Sequence, residues 1–193
     1  MPLPAALAWN RDALLGVLAA MLRLVAGRAA MERAAYLAAL RMLRPAEAAA
    51  RRLIVALARG MAAPAPRAAA PFPASVGGAK GGRRRPSFAL IDPRHGRGWR
   101  YADEPERPPS VPRALPATLP AAPIRQRLRA LEGALADLPR QARRLAARLA
   151  RRSLPRPLRP GPPPGSRLGG RAPVQRILDD CHQLAIPLVA VPP

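Results

Sequence analysis

Proline placement limits this fold more than any other feature of the chain. Thirteen of its 27 prolines fall between residues 62 and 123, and a second run, Pro160-Gly161-Pro162-Pro163-Pro164-Gly165, lies further on. Each proline removes a backbone donor and turns the residue before it away from helix, so neither stretch sustains a regular hydrogen-bond ladder. Helices are therefore expected in three windows: 1–61, 124–152 and 173–193. Segments 62–123 and 153–172 read as Pro/Arg/Gly-rich, largely disordered linkers. The fold class that follows is mainly α, with small helical units joined by those linkers.

Composition limits how much these helices can bury. Apolar residues make up 49% of the chain, but many are alanine, and aromatics are only 3%. Burial contributes in proportion to area, roughly 25 cal/mol per Å². An alanine-rich chain is thus expected to form small helical units and not one large globule.

In 1–61, Leu14, Leu18, Met21 and Val25 recur at 4-3-4 spacing, one face of a helix. Asp12 fits an N-cap or first-turn acid, and Gly27 a stop, although a single helix through Gly27 also satisfies the pattern. Arg28 to Leu43 aligns Tyr36, Leu40 and Leu43. Pro45 is expected in the first turn of a third helix carrying Ala46, Ala50, Leu53 and Leu57 and ending near Gly60. The unit reads as a helical hairpin or a three-helix bundle.

Residues 124–152 carry the most regular pattern. Ile124, Leu128, Leu131, Leu135, Leu138, Ala142, Leu145 and Leu149 follow a heptad seam without a miss. The rest of the segment is basic, with nine arginines against Glu132 and Asp137. Pro139 is expected to kink the helix or divide it into halves of about 124–138 and 140–152. The halves should pack on the N-terminal unit or on a second chain, so a protein partner or self-association through this seam is one reading. A last helix is expected from Pro173 to about Ala185, with Val174, Ile177, Cys181 and Leu184 on one face and a tail to residue 193.

Net charge is +22, carried by arginine throughout except for Lys80. Arginine's planar fork suits phosphate and carboxylate, which points to a nucleic-acid or anionic-surface partner. GC-rich coding also enriches Arg, Ala, Pro and Gly without any binding role. Within the first linker, residues 83–101 hold three of the six aromatics among basic residues. Arg83, Arg84, Arg85, Phe88, Arg97, Trp99 and Tyr101 are its candidate nucleic-acid or partner-binding residues, through phosphate contacts and base stacking or through aromatics docked into a partner. Phe88 to Ile91 is expected as a short strand turned by Asp92-Pro93, with Trp99 to Tyr101 returning antiparallel.

Catalytic and metal chemistry find no support. Asp179, Asp180, Cys181 and His182 are consecutive, and successive helical residues point apart and do not chelate one ion. Cys181 beside His182 offers a route to a lowered thiol pKa, but nothing visible orients the pair. Gly77-Gly78-Ala79-Lys80-Gly81-Gly82 lacks the hydroxyl that follows lysine in a phosphate loop, and Gly96-Arg97-Gly98 lacks a third glycine. The five serines all fall in linker segments, without the rigid frame a nucleophile needs. The expectation is a non-enzymatic interaction or adaptor protein with no catalytic residue, metal or cofactor. A nucleic-acid accessory protein is the alternative, and a peripheral membrane-surface protein the second. A lone cysteine and a start, Met1-Pro2-Leu3-Pro4, without a basic leader point to a cytoplasmic setting. The run Ala13 to Leu22 is too short to span a bilayer.

Overall fold

The computed structural model describes residues 2–61, 88–92, 116–150, 157–158, 161–166 and 172–186. They form five helices and one two-stranded sheet: α1 Leu3–Val25, β1 Ala30–Glu32, α2 Arg33–Arg59, β2 Thr118–Pro120, α3 Ala122–Ala136, α4 Leu138–Leu149 and α5 Pro173–Ala185. The chain is mainly α, and one core cluster takes residues from all five helices.

Helix α1 begins at Leu3, nine residues before Asp12, which lies mid-helix and caps nothing. Pro4 explains the early start, because a first-turn N–H has no helical partner to lose. The face Leu14, Leu18, Met21 and Val25 is buried, and Asn10 extends it by donating from Nδ2 to the Ala6 carbonyl at 2.9 Å. By length and composition alone α1 is apolar enough to cross a bilayer, a test that a core helix also passes. Gly27, at φ +70°, then turns the chain out of the helix, a conformation glycine adopts without steric penalty.

Two expectations for the N-terminal unit are overturned. Residues 30–32 are a strand and not part of a second helix; β1 pairs antiparallel with β2 in the register Ala30↔Pro120, Met31↔Leu119, Glu32↔Thr118. The backbone N–H of Arg33 extends the ladder to Ala117 O at 2.8 Å, and that of Ala121 to Ala29 O at 3.0 Å. Segment 62–123 therefore ends in regular structure, because the partner of β1 is a piece of chain almost ninety residues away. Pro45 does not start a helix either: it sits inside the 27-residue α2. A mid-helix proline costs about 3 kcal/mol, an expense that tertiary packing must outweigh. Packing does so here, because α2 from Leu43 to Ala58 is buried on nearly every side by the other helices. Alanines 46, 48, 49 and 50 let those neighbours approach closely.

The turn at 161–166, within the expected second linker, fits against this proline. Gly165 has φ +85°, and a Cβ there would lie 2.8 Å from the Pro45 nitrogen and 3.1 Å from the Arg44 carbonyl carbon. Gln175 Nε2 on α5 donates to the Gly165 carbonyl at 3.0 Å.

The Leu seam is divided between two helices. Asp137, at φ −130° and ψ 60°, breaks the helix, and its side chain accepts from the Arg140 N–H at 3.1 Å as the cap of α4. Pro139 then falls in the first turn of α4. Ile124, Leu128, Leu131 and Leu135 are buried with α3 packed chiefly on α1; Leu138, Ala142 and Leu145 are buried with α4 packed chiefly on α2. Leu149, at the last residue of α4, is exposed and does not join the seam. On α5, Val174, Ile177 and Cys181 are buried as their spacing implies, with Leu178 and Ala185 beside them, and Leu184 is partly buried.

Residues 88–92 form no strand. The segment is an extended plug: Phe88, Leu90 and Asp92 are buried, and the Asp92 N–H donates to Pro157 O at 2.9 Å. A protein side chain takes the place of a strand partner, with Arg51 Nε donating to the Ala89 carbonyl at 3.0 Å.

Candidate functional site

Among the described residues, charge concentrates in two places of opposite character. The first is buried and centred on α2. Arg52 is fully buried; its Nη1 donates to the Ala48 carbonyl at 3.1 Å and its Nε to His182 Nδ1 at 3.3 Å, while Nη2 lies 3.6 Å from Asp92 Oδ2. Arg51 Nη1 is 3.4 Å from Asp92 Oδ1, and its guanidinium carbon lies 5.4 Å from the centre of the Phe88 ring, within cation–π range. Glu47 bridges outward, accepting a bidentate pair from Arg127 at 2.9 and 2.8 Å and lying 3.8 Å from Arg51 Nη2. Burial lowers the proton affinity of Arg51 and Arg52, Asp92 opposing it in both, whereas the hydrogen bonds to Glu47 raise that of Arg127. Guanidinium starts so far above neutrality that all three stay charged.

This cluster accounts for the Cys181-His182 pair. Burial first, and Asp180 second, push the Cys181 thiol up, away from the reactive thiolate. His182 accepts from Arg52 through Nδ1, so the neutral ring carries its proton on Nε2. Burial and the neighbouring Arg52 both lower its pKa. Among the described residues no three His, Cys, Asp or Glu side chains converge as a metal site would need.

The second concentration is open to solvent. Helices α3 and α4, set at an angle by the break at Asp137, enclose a groove of about 850 Å³ with Phe88 at its margin. Arg125 and Arg129 line it from α3, Arg140 and Arg144 from α4, together with Gln126 and Gln141, and no acid is among the described lining residues. The two pairs are each spaced i,i+4, which sets successive guanidinium stems about 6 Å apart along each wall. Arg144 Nη1 is steadied by Gln141 Oε1 at 2.7 Å and Arg125 Nη1 by the Arg28 carbonyl at 3.0 Å. Arg129 and Arg140 are exposed, and their guanidinium groups have no hydrogen-bond partner among the described residues. Unpaired guanidinia facing one another across a groove repel each other, and an anion between them relieves that repulsion.

Of the candidates in 83–101, Arg83, Arg84, Arg85, Arg97, Trp99 and Tyr101 lie outside the described residues. Phe88 is described, and it is held in the core against Arg51, not displayed as a docking aromatic. The groove arginines were visible in the sequence as the basic side of a heptad helix. Their i,i+4 pairing on either side of Asp137-Leu138-Pro139 places each pair on one side of its helix, but only the structure shows that the two pairs line one groove. Asp92, by contrast, gave no sign beyond that of a turn residue.

No protein-family model, no curated protein and no solved structure matches this chain.

Proposed function

We propose that this chain is a non-enzymatic adaptor that holds a phosphate-bearing polymer, nucleic acid foremost, in the groove between α3 and α4. The observation that carries the reading is the groove lining: four arginines from two helices, two glutamines able to donate or accept, and, among the described residues, no carboxylate. Positioned guanidinia bind phosphate bidentately and regardless of base sequence, so the expected binding is strong at low salt and weakly sequence-dependent. The seam is not needed for this role, since its leucines are already covered by α1 and α2.

Fluorescence anisotropy with a labelled oligonucleotide, run across a salt series, tests the reading. Affinity should fall linearly with log salt, and replacing Arg125, Arg129, Arg140 and Arg144 together by alanine should reduce the slope by about 3 to 4 on duplex, near 0.9 per phosphate contact. Absence of binding at low salt, or a slope unchanged in the quadruple variant, would remove the proposal.

A further inference from the structure

An apolar slot of about 180 Å³ opens between the C-terminal turn of α1, β1 and the first half of α2. Its lining includes Leu24, Met31, Ala35, Ala38 and Met42, with Arg28 as the one charged residue. Leu24 and Met42 are exposed, as is Leu37 beside them on α2. The first half of α2 is only partly covered, with Ala35, Tyr36, Ala39 and Leu40 half-buried against the core, in contrast to its second half, where nearly every side chain is buried. Exposed apolar groups collected at a concavity mark an interaction site more reliably than the same groups scattered singly.

Two observations select the occupant. The first is shape: a slot of this size admits a single bulky side chain, and its walls include three methionines, Met21, Met31 and Met42, whose unbranched thioethers adapt to an inserted group. A bilayer presents no such projecting group. The second is charge: from residue 21 to 44 the chain carries five arginines and one acid, Glu32, and all five arginines are exposed. Arg28 lines the slot itself, and Arg41, exposed, directly precedes the lining residue Met42 in the chain. A positive rim around an apolar floor is complementary to an amphipathic helix with carboxylates flanking its apolar stripe.

We infer that this slot docks an acidic amphipathic helix of a partner protein, one large apolar anchor seated between α1 and α2 and its carboxylates paired with Arg28 and Arg41. The slot has its own lining and adjoins the arginine groove at Arg28, whose carbonyl accepts from Arg125 at 3.0 Å, so the chain would join an acidic protein segment to a polyanion held in the neighbouring groove.

The test uses the full chain and a fluorescein-labelled helical peptide with leucines on one face and glutamates on the other, alongside a version with lysines in place of glutamates. The acidic peptide should bind at least about tenfold more tightly than the basic one, about 1.4 kcal/mol. Ala38→Trp fills the slot from an exposed position and should weaken acidic-peptide binding about tenfold with the thermal melt unchanged. Arg28→Glu with Arg41→Glu, both at exposed side chains, should invert the preference between the two peptides. Arg129→Glu with Arg140→Glu, in the groove, should leave the acidic peptide bound. Equal binding of both peptides to the wild-type chain, or a folded Ala38→Trp chain that binds normally, overturns the inference. So does loss of peptide binding in the groove variant alone. Co-sedimentation with phosphatidylcholine–phosphatidylglycerol vesicles that is lost in Ala38→Trp, without peptide discrimination, would assign the patch to a lipid surface and overturn it equally.

Discussion

The arginines of α2 and those of α3 and α4 are the same residue in opposite circumstances. Arg51 and Arg52 are buried, each within 3.6 Å of an Asp92 oxygen, and Arg52 also bonds a histidine and a carbonyl. Arg129 and Arg140 stand in solvent, their guanidinium groups with no partner among the described residues. Desolvating a guanidinium is repaid only by good geometry and counter-charge, so the buried pair is committed to structure. The guanidinia of Arg129 and Arg140 keep donors that no described residue takes up. A net charge of +22 therefore overstates the binding surface, because part of it is consumed internally.

The comparison breaks most visibly at Asp92. Asp92→Ala leaves two buried guanidinia without their shared carboxylate and should cost about 3–5 kcal/mol in urea unfolding. Arg52→Met with Asp92→Leu should recover much of that loss by replacing the pair with apolar volume. If Asp92→Ala behaves like a surface change, the buried cluster is not the structural half of the contrast.

Gly165→Ala comes next. It adds a Cβ 2.8 Å from backbone at a φ of +85°, so it should cost about 1–3 kcal/mol, read as a lower melting temperature. An unchanged melt would mean that the turn at 161–166 does not support α2 at its proline.

Replacing the four groove arginines should mirror these results. Thermal stability should shift by no more than about 0.5 kcal/mol, or rise as mutual repulsion is relieved, while oligonucleotide affinity collapses. A large loss of stability would move the groove arginines into the structural class and dissolve the comparison.

The smallest effect concerns pH. His182 has its folded-state pKa below the unfolded value, so the unfolded chain binds more protons as pH falls through the window below about 6.5. Its contribution to stability is present above that value and is lost on acidification, when the protonated ring can no longer accept from Arg52. His182→Gln should flatten the stability profile as pH falls below about 6.5, and an unaltered slope would show that the Arg52 contact carries no linkage.

The sequence was most legible where local rules act alone. The seam from Ile124 to Leu145 and the span of α5 follow from periodicity and a proline in the first turn, and both are read directly from spacing. It misled where tertiary packing overrides a local preference. Pro45 forbids a helix by its own chemistry and is accommodated because α2 is enclosed by its neighbours. Strand β1 carries no strand signal in three residues; its partner β2 supplies the reason from the other side of a long proline-rich stretch. The groove was half legible: which side of the helices is basic could be read, but not the break angle that makes two basic sides into facing walls. Phe88 and Asp92 were hidden by their proline-rich context, since a core anchor inside such a segment has no period to betray it.

The plug at 88–92 has a consequence for how the chain tolerates change. It pins the connection between α2 and β2 at one internal point, dividing it into two spans, 62–87 and 93–115. For connecting chain in general, closure entropy grows only with the logarithm of length, about 0.6 kcal/mol per doubling, so added length by itself costs little. Deleting the five anchor residues instead removes a buried ion pair and two core side chains together. Insertions and deletions among relatives of this chain should therefore accumulate on both sides of residues 88–92 and spare that short stretch, leaving an island of constant length between two variable ones.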